Sequence, residues 1–454
     1  MLSTLIQRSQ QLFHRAFETE ILRRIVKNSS YLVSASGFTA ALGFVQGIFV
    51  ARLLGPAGVG LFSAVRSFTG VANRFASFRI HEMVVRYVRL YEERGDQEKA
   101  AAVFKIAGVL EMAGALIAFA IIWGLASVGA RLFGQDPAST PLFVLYGSVV
   151  LINLLFESAT GLLQVFDRFR VMAIITAVQG VFTLVFVVAA YWMQASLGGV
   201  VLAYVGGKFL GGLATTVAAF MTAGREWGWM WWRVPLQVLQ EDRRNLLTFA
   251  FSTNASGTIS LVAKDSEALW VSGFLGTTQA GFYSVALWLV GILQIPISPL
   301  PSTTYPEISR EIVRRDWKNV RFVLRRGSWL AAVYSLPVTL GLITLGWWLI
   351  PFVYGVDFAP AYPVLVILLI GYTFTNIFYW NRIALLALNR PVFPTIVNFS
   401  GMLLKVAGIF WLASKFGALA FAGLLSGYFI FTVGAAAARV ILDLRQRESV
   451  ELSA

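Results

Sequence analysis

The sequence predicts an all-α protein that crosses a membrane many times, built as two pseudo-symmetric bundles of six spans each. Three observations predict it: an apolar composition that no soluble core needs, twelve apolar segments of spanning length, and a short motif that recurs about half a chain later. Of 454 residues, 57% are hydrophobic and only 13% charged, the latter about half the share usual in soluble domains. Mean hydropathy is +0.71. With no cysteine and only His14 and His81, thiolate and histidine metal sites are not expected, and disulfides are excluded.

The recurring motif is VARLLGPAGVGLFS at 50–63 and VSGFLGTTQAGFYS at 271–284. One constant offset, hereafter the repeat offset, pairs Leu54 with Leu275, Gly55 with Gly276, Gly60 with Gly281, Phe62 with Tyr283 and Ser63 with Ser284. Each copy is a short glycine-containing turn between two apolar runs, as a hairpin of spanning helices requires. Two such halves with a substrate site between them near the bilayer midplane are a transporter signature.

In chain order, residues 1–28 are too polar for a signal peptide. Leu5, Leu12, Phe13, Phe17, Ile21 and Ile25 recur at helical spacing among basic residues and predict an amphipathic helix on the membrane surface. Six spans follow within 29–222, near 29–53, 57–79, 102–127, 141–164, 171–193 and 197–222. The connection 223–246 carries Trp227, Trp229, Trp231 and Trp232 beside Arg225, Arg233, Arg243 and Arg244, which suits a segment resting at the headgroups. Six more spans fill 247–440, near 247–273, 278–300, 328–351, 361–386, 391–413 and 416–440, before a tail at 441–454. Pro296, Pro299 and Pro301 are expected to kink or end the eighth span, and Gly206, Gly207, Gly211 and Gly212 to mark close helix packing.

The net charge of +14 is distributed between apolar runs rather than gathered in one patch, so it points to membrane orientation and not to nucleic acid. One set of loops holds nearly all of it, including Arg86, Arg89, Arg94 and Lys99, then Arg168 and Arg170, then seven Arg and Lys between Arg310 and Arg326, then Arg390 and the tail. The opposite loops offer Arg52, Arg131 and Lys415. Both termini are therefore expected in the cytoplasm.

Ionisable residues inside spans usually face a bundle interior or a wet cavity. Six are basic: Arg66 and Arg74 on the second span, Lys208 on the sixth, Lys264 on the seventh, Arg382 on the tenth and Lys405 deep in the eleventh. Four are acidic, Glu111, Glu157, Asp265 and Glu267, and these are candidates to couple transport to a proton or sodium ion. If most converge, the cavity attracts anions, and phosphate or pyrophosphate groups suit it because Arg offers a planar fork and Lys a point charge. Structural pairing is the alternative, for instance Lys264 with Glu267, while Arg382 sits near a span end from which it can snorkel. Asn73 shares a face with Arg66. Asn153, Glu157, Thr160 and Gln164 form one helical stripe that either binds sugar hydroxyls or joins helices, and Tyr372, Asn376 and Tyr379 form a similar stripe able to stack on sugar rings. No nucleotide-binding loop or nucleophile motif is present, so no ATPase or hydrolase is read and no cofactor is expected.

ARLLGPAGVGLFSAV, VRYVRLYEERGD, LGTTQAGFYSVA, PEISREIVRRD and the turns after GLLQVFDRF and ALLALNRP together resemble the Wzx-type oligosaccharide flippases. These belong to the multidrug/oligosaccharidyl-lipid/polysaccharide (MOP) exporter superfamily, with the MATE drug exporters and the lipid II flippases. The resemblance implies a bacterial inner-membrane protein of polysaccharide biosynthesis, such as O-antigen of lipopolysaccharide, that moves a polyprenyl-pyrophosphate-linked oligosaccharide to the outer leaflet. Its implied partners are membrane lipids and polysaccharide polymerase machinery, and it transfers no site residue. Rival readings are a MATE-like exporter, whose cavity should be acidic, a membrane polymerase or ligase, which needs a large external loop, and a scaffold for glycan assembly.

Overall fold

The computed structural model describes residues 20–76, 80–250 and 255–453, with side chains described from residue 37 onward apart from 75–76, 243, 247, 250, 255–256 and 450–453. Among the described residues there is no strand. The predicted surface stripe falls outside them up to residue 19, and from Glu20 the chain runs as helix directly into the first span.

The helix Glu20–Ala76 is broken at Gly55 (φ 64°, ψ −178°) into two spans, α1 (20–54) and α2 (56–76). There follow α3 (Ile80–Glu93), α4 (Gln97–Gly129), the fourth span in three pieces, α5 (Thr140–Gly147), α6 (Val149–Ile152) and α7 (Phe156–Val165), then α8 (Phe169–Trp192) and α9 (Leu197–Trp227). The second half holds α10 (Arg243–Ala250), α11 (Ala255–Ser260), α12 (Glu267–Leu275), α13 (Thr277–Gln294), α14 (Leu300–Val313), α15 (Trp317–Tyr354), α16 (Ala361–Ile377), α17 (Asn381–Ala387), α18 (Val392–Phe416) and α19 (Ala418–Ser453). Among the described residues nine helices are long and apolar enough to cross a bilayer, one of which, Gly37–Arg74, takes in most of the first two predicted spans. The seventh and eighth predicted spans fall on the shorter α11, α12 and α13.

Local signals repeat between the halves. Gly55 and Gly276 both take positive φ, which only glycine adopts without cost. Asp96 and Asp316 each follow a positive-φ residue and cap α4 and α15, accepting from the backbone N–H of Lys99 (3.0 Å) and Asn319 (2.9 Å). Asp167 and Asn389, both left-handed, turn the chain after α7 and α17. The eighth span ends at Gln294, just before the prolines. Gly207 and Gly211 lie against Thr183 and Gln179 of α8, the close packing their spacing predicts.

The halves meet where the two motif copies cross. A Cβ at Gly60 would stand 1.7 Å from the Thr277 carbonyl oxygen, and one at Gly281 would stand 2.0 Å from that of Pro56. Backbone therefore lies on backbone, a contact no side chain permits. At this end, hereafter the repeat end, Arg52 also donates to the carbonyls of Val353 (2.8 Å) and Phe352 (2.6 Å), and Ser272 to that of Phe133 (2.6 Å). At the opposite, basic end each half has its own small core, one around Met83, Tyr91, Phe104 and Leu162, the other around Ile308, Trp317, Leu324 and Trp380. Tyr91 donates to Asp242 (2.6 Å); burial first, and Asp242 second, push its hydroxyl pKa up, so it stays a donor.

Among the described residues three spans are interrupted, and in lipid every freed backbone group needs a partner. In the fourth span Glu111 of α4 caps α7, accepting from the N–H of Glu157 (2.6 Å) and from the N–H (2.8 Å) and hydroxyl (2.5 Å) of Ser158. Glu111, one of the expected ion-coupling residues, is thus engaged at a helix end and also lines a cavity of the N-terminal half. This break at 153–155 also splits the expected stripe: Thr160 and Gln164 turn to His81 (3.3 and 3.0 Å), and neither lines the cavity that Asn153 and Glu157 line. The tenth span breaks at 378–380, where Trp380 donates to Ser328 (2.6 Å). Asn376 is buried, donating to the Leu293 carbonyl (3.2 Å), while Tyr372 packs edge-on to Phe429 and Tyr379 bonds Thr304 (2.9 Å), so this stripe is core.

The seventh span is interrupted by a π turn at Leu261–Asp265. Lys405, expected as a free cation, is buried there, donating to the Ala263 carbonyl and pairing with Glu267, whose other oxygen accepts from Tyr283 (2.6 Å). Glu267 thus pairs with Lys405 of α18 and not with Lys264. Gln46, which the repeat offset matches to Glu267, donates to the Gly180 carbonyl (3.0 Å), so the same join is neutral in the first half and ionic in the second. Lys405→Met strands a buried carboxylate and should cost about 3–5 kcal/mol. Thermal unfolding of the purified protein would show it, with Lys405→Met combined with Glu267→Gln recovering most of the loss; an unchanged melting temperature in the single variant contradicts the pairing. Gly281→Val, whose side chain meets the Pro56 backbone, should part the crossing and stop transport while protein is still made, and a fully active Gly281→Val protein would refute the contact.

Candidate functional site

The site is built around Arg66, which α2 projects between the halves. Three cavities, of about 340, 430 and 310 Å³, each have Arg66 in their walls. They are compartments of one chamber, since the first two also share Gly70 and the last two share Leu287 and Trp288. Its walls run from Ser63 and Ser284, just inside the glycine crossing, to Arg74 and Ile295 toward the basic end.

The first compartment lies within the N-terminal half, and Asn73, Asn153, Glu157 and Tyr146 line it with Arg66. The break at 153–155 brings Asn153 here, with its side chain against α9 at Gly212. The second compartment lies between α2 and the seventh span. Here the π turn, with one residue more than an α turn, sets Lys264 and Asp265 side by side on the wall. Arg74 approaches Asp265 at 3.6 Å, both side chains substantially exposed, an arrangement worth little by itself and open to competition by a bound anion. Among the described residues Arg66 and Lys264 have no acidic partner within salt-bridge distance, whereas Glu111, Asp265 and Glu267 are held by Ser158, Arg74 and Lys405. Apart from Arg66, the third compartment is walled by uncharged residues, among them Gly43, Phe44, Gln46, Tyr204 and Trp288.

The second and third compartments are repeat equivalents. Leu261, Lys264, Asp265, Glu267 and Ala268 of the one match Ala40, Gly43, Phe44, Gln46 and Gly47 of the other at the repeat offset. Charge has been placed on one of two matching seams. Two guanidinium groups and an ammonium there can grip a multivalent oxyanion through charge-assisted hydrogen bonds.

Of the six intramembrane cations, the structure brings Arg66, Arg74 and Lys264 together. Lys208 lines none of these cavities, whereas Tyr146 lines the first and Tyr204 the third. Arg382 is exposed on α17 and lines none of them, and Lys405 is spent on the α12 break. The expected excess of six cations over four acids therefore shrinks to a local cluster. Sequence reasoning missed Trp288, Ser67 and Ser284 as walls. Carrying the motif alignment a few residues further would have found them, because the repeat offset pairs Ser67 with Trp288 and Arg66 with Leu287.

Comparison with known proteins agrees with this architecture. "Inner membrane protein YghQ" of Escherichia coli (strain K12) is 24% identical over 368 residues, 77% of this chain and 98% of that protein. The inward-facing conformation of a MATE family transporter of the MOP superfamily superposes with a TM-score of 0.68 at 13% identity, covering 92% of this chain and 96% of that one. The lipid II flippase MurJ in an inward closed conformation gives a TM-score of 0.66 at 15% identity, covering 92% and 89%. The fold is that of these two solved structures, a transporter and a flippase by their titles, and the apolar helices among the described residues make the chain a multi-pass membrane protein. The profile of polysaccharide biosynthesis proteins matches residues 25–311, well over half the chain, and the protein belongs to that family.

Proposed function

We propose that the protein is an alternating-access flippase that carries a polyprenyl-pyrophosphate-linked oligosaccharide from the cytoplasmic to the outer leaflet. Arg66, at the meeting point of three compartments and without an acidic partner among the described residues, is the observation that supports it most directly. A pyrophosphate in the second compartment would bridge Arg66, Arg74 and Lys264, displacing Asp265 from Arg74. The sugars would occupy the first compartment against Asn73 and Asn153. A cationic drug would meet Arg66 and Lys264 there, which disfavours a multidrug exporter.

Loop charge sets the orientation in this proposal: the basic end faces the cytoplasm and the repeat end the periplasm. The glycine crossing and the Arg52 contacts then close the outer side, so the chamber receives substrate from the cytoplasmic leaflet. Parting of the crossing with closure of the basic end would complete the cycle. Glu111 and Glu157 in the wall of the first compartment, with Asp265 and Glu267 in that of the second, are the acidic residues that could couple that step to a proton or sodium ion, and polysaccharide polymerase machinery would draw on the product.

Arg66→Ala should lower transport of a pyrophosphate-linked oligosaccharide in proteoliposomes at least tenfold, at unchanged protein level, with Arg66→Lys intermediate and Arg382→Ala close to wild type. Full activity of Arg66→Ala removes the residue from the proposal. For orientation, a protease tag placed at either terminus should be cleaved only after the inner membrane of intact cells is opened; cleavage from outside would reverse the assignment.

A further inference from the structure

A fourth cavity, of about 410 Å³, lies on the far side of the seventh span from the charged compartment and shares Val71 and Leu261 with it. Its lining is apolar apart from Ser266, which turns its hydroxyl to the Val262 carbonyl (3.4 Å), and Trp270, whose indole N–H does the same (3.3 Å). The lining runs from Val262 through Leu269 to Phe274 near the repeat end, facing Leu132 and Phe133 of the other half. Leu132 and Phe274 are 56% and 42% exposed, so the cavity opens sideways where lipid would be.

The repeat shows that this is more than a packing gap. The repeat offset matches Arg52 to Gly273, and Leu132 to Val353. In the first copy Arg52 crosses the seam and locks onto the Val353 carbonyl; in the second, Gly273 sends no side chain across, its backbone packs against the Phe133 ring, and the cavity lies beside that contact. The π turn beside it presents Lys264 and Asp265 to the charged compartment and Val262 to the apolar one. A single turn thus offers cationic and apolar surfaces to adjoining parts of one ligand, a match for an amphiphile whose oxyanion is joined directly to a hydrocarbon chain. A soluble anion has nothing to place in the second cavity.

We infer that this fissure, between Leu132 and Phe133 on one side and Val262, Leu269 and Phe274 on the other, seats the isoprenoid units next to the pyrophosphate while Arg66, Arg74 and Lys264 hold the headgroup. The inference rests on the proposed function, and it adds a recognition site for the lipid itself. Its volume lies within the range of small-molecule pockets, and apolar burial supplies the affinity.

The test uses the full-length protein in nanodiscs and geranylgeranyl diphosphate bearing a photoreactive group on its first isoprene units. Crosslinks should map to residues near Leu132 or Leu269 and be competed by unlabelled geranylgeranyl diphosphate. Leu132→Trp and Val262→Trp, which fill the fissure, should weaken geranylgeranyl diphosphate binding about tenfold and leave inorganic pyrophosphate binding unchanged. Labelling equally competed by a phosphatidylcholine, or filled variants that bind geranylgeranyl diphosphate normally, would overturn the tail site. Arg66→Ala separates the two ideas: it should weaken both ligands, and if it weakens neither, the headgroup assignment fails independently of where the crosslinks fall.

Discussion

The crossing of Gly60 and Gly281 is the constraint on which the remaining geometry depends. With backbone on backbone there, α2 and α13 come together at the repeat end and diverge below it, and the chamber is the space between them. A bilayer supplies no hydrophobic drive for helix association, so such close approach, with the dispersion it gains, is what joins the halves. Arg52 and Ser272 reinforce it with bonds to carbonyls of the opposite half.

Polar side chains in this membrane protein do two different jobs. One group repairs interrupted helices: Glu111 caps α7, and Lys405 with Glu267 spans the gap before α12. Each removes from hydrocarbon a backbone group that would otherwise lack a partner. The other group, Arg66 and Lys264 above all, is left with charge to spare on the chamber wall. Position along a helix does not separate the two, because the Glu111 and Lys405 sites look as costly in sequence as that of Arg66.

The halves have diverged in charge while keeping their shape. Gln46 and Glu267 occupy matching joins, Gly43 and Lys264 matching walls, and Arg52 and Gly273 matching seams. The repeat thus provides two similar seams, and substitution has left one with Arg66 as its charged wall residue, the other with several charges and an apolar fissure beside it. Such asymmetry gives a head-and-tail ligand one way to lie.

By itself the sequence determined the all-α membrane class, the twelve apolar segments, the two halves, the turns at Gly55 and Gly276 and the ends of most helices, because hydropathy, glycine and proline act locally. The motif at 50–63 and 271–284 even marked the line where the halves touch. Only the tertiary structure decided which intramembrane charges are free, since Lys405 and Glu267 are 138 residues apart and Arg74 and Asp265 farther still. It also decided the fate of the polar stripes: the Asn153 stripe assumed one unbroken helix, and a break held by a carboxylate from another span split it between the chamber and His81. Pairings of this kind are long-range contacts in a low-dielectric interior, and no periodicity along the chain records them.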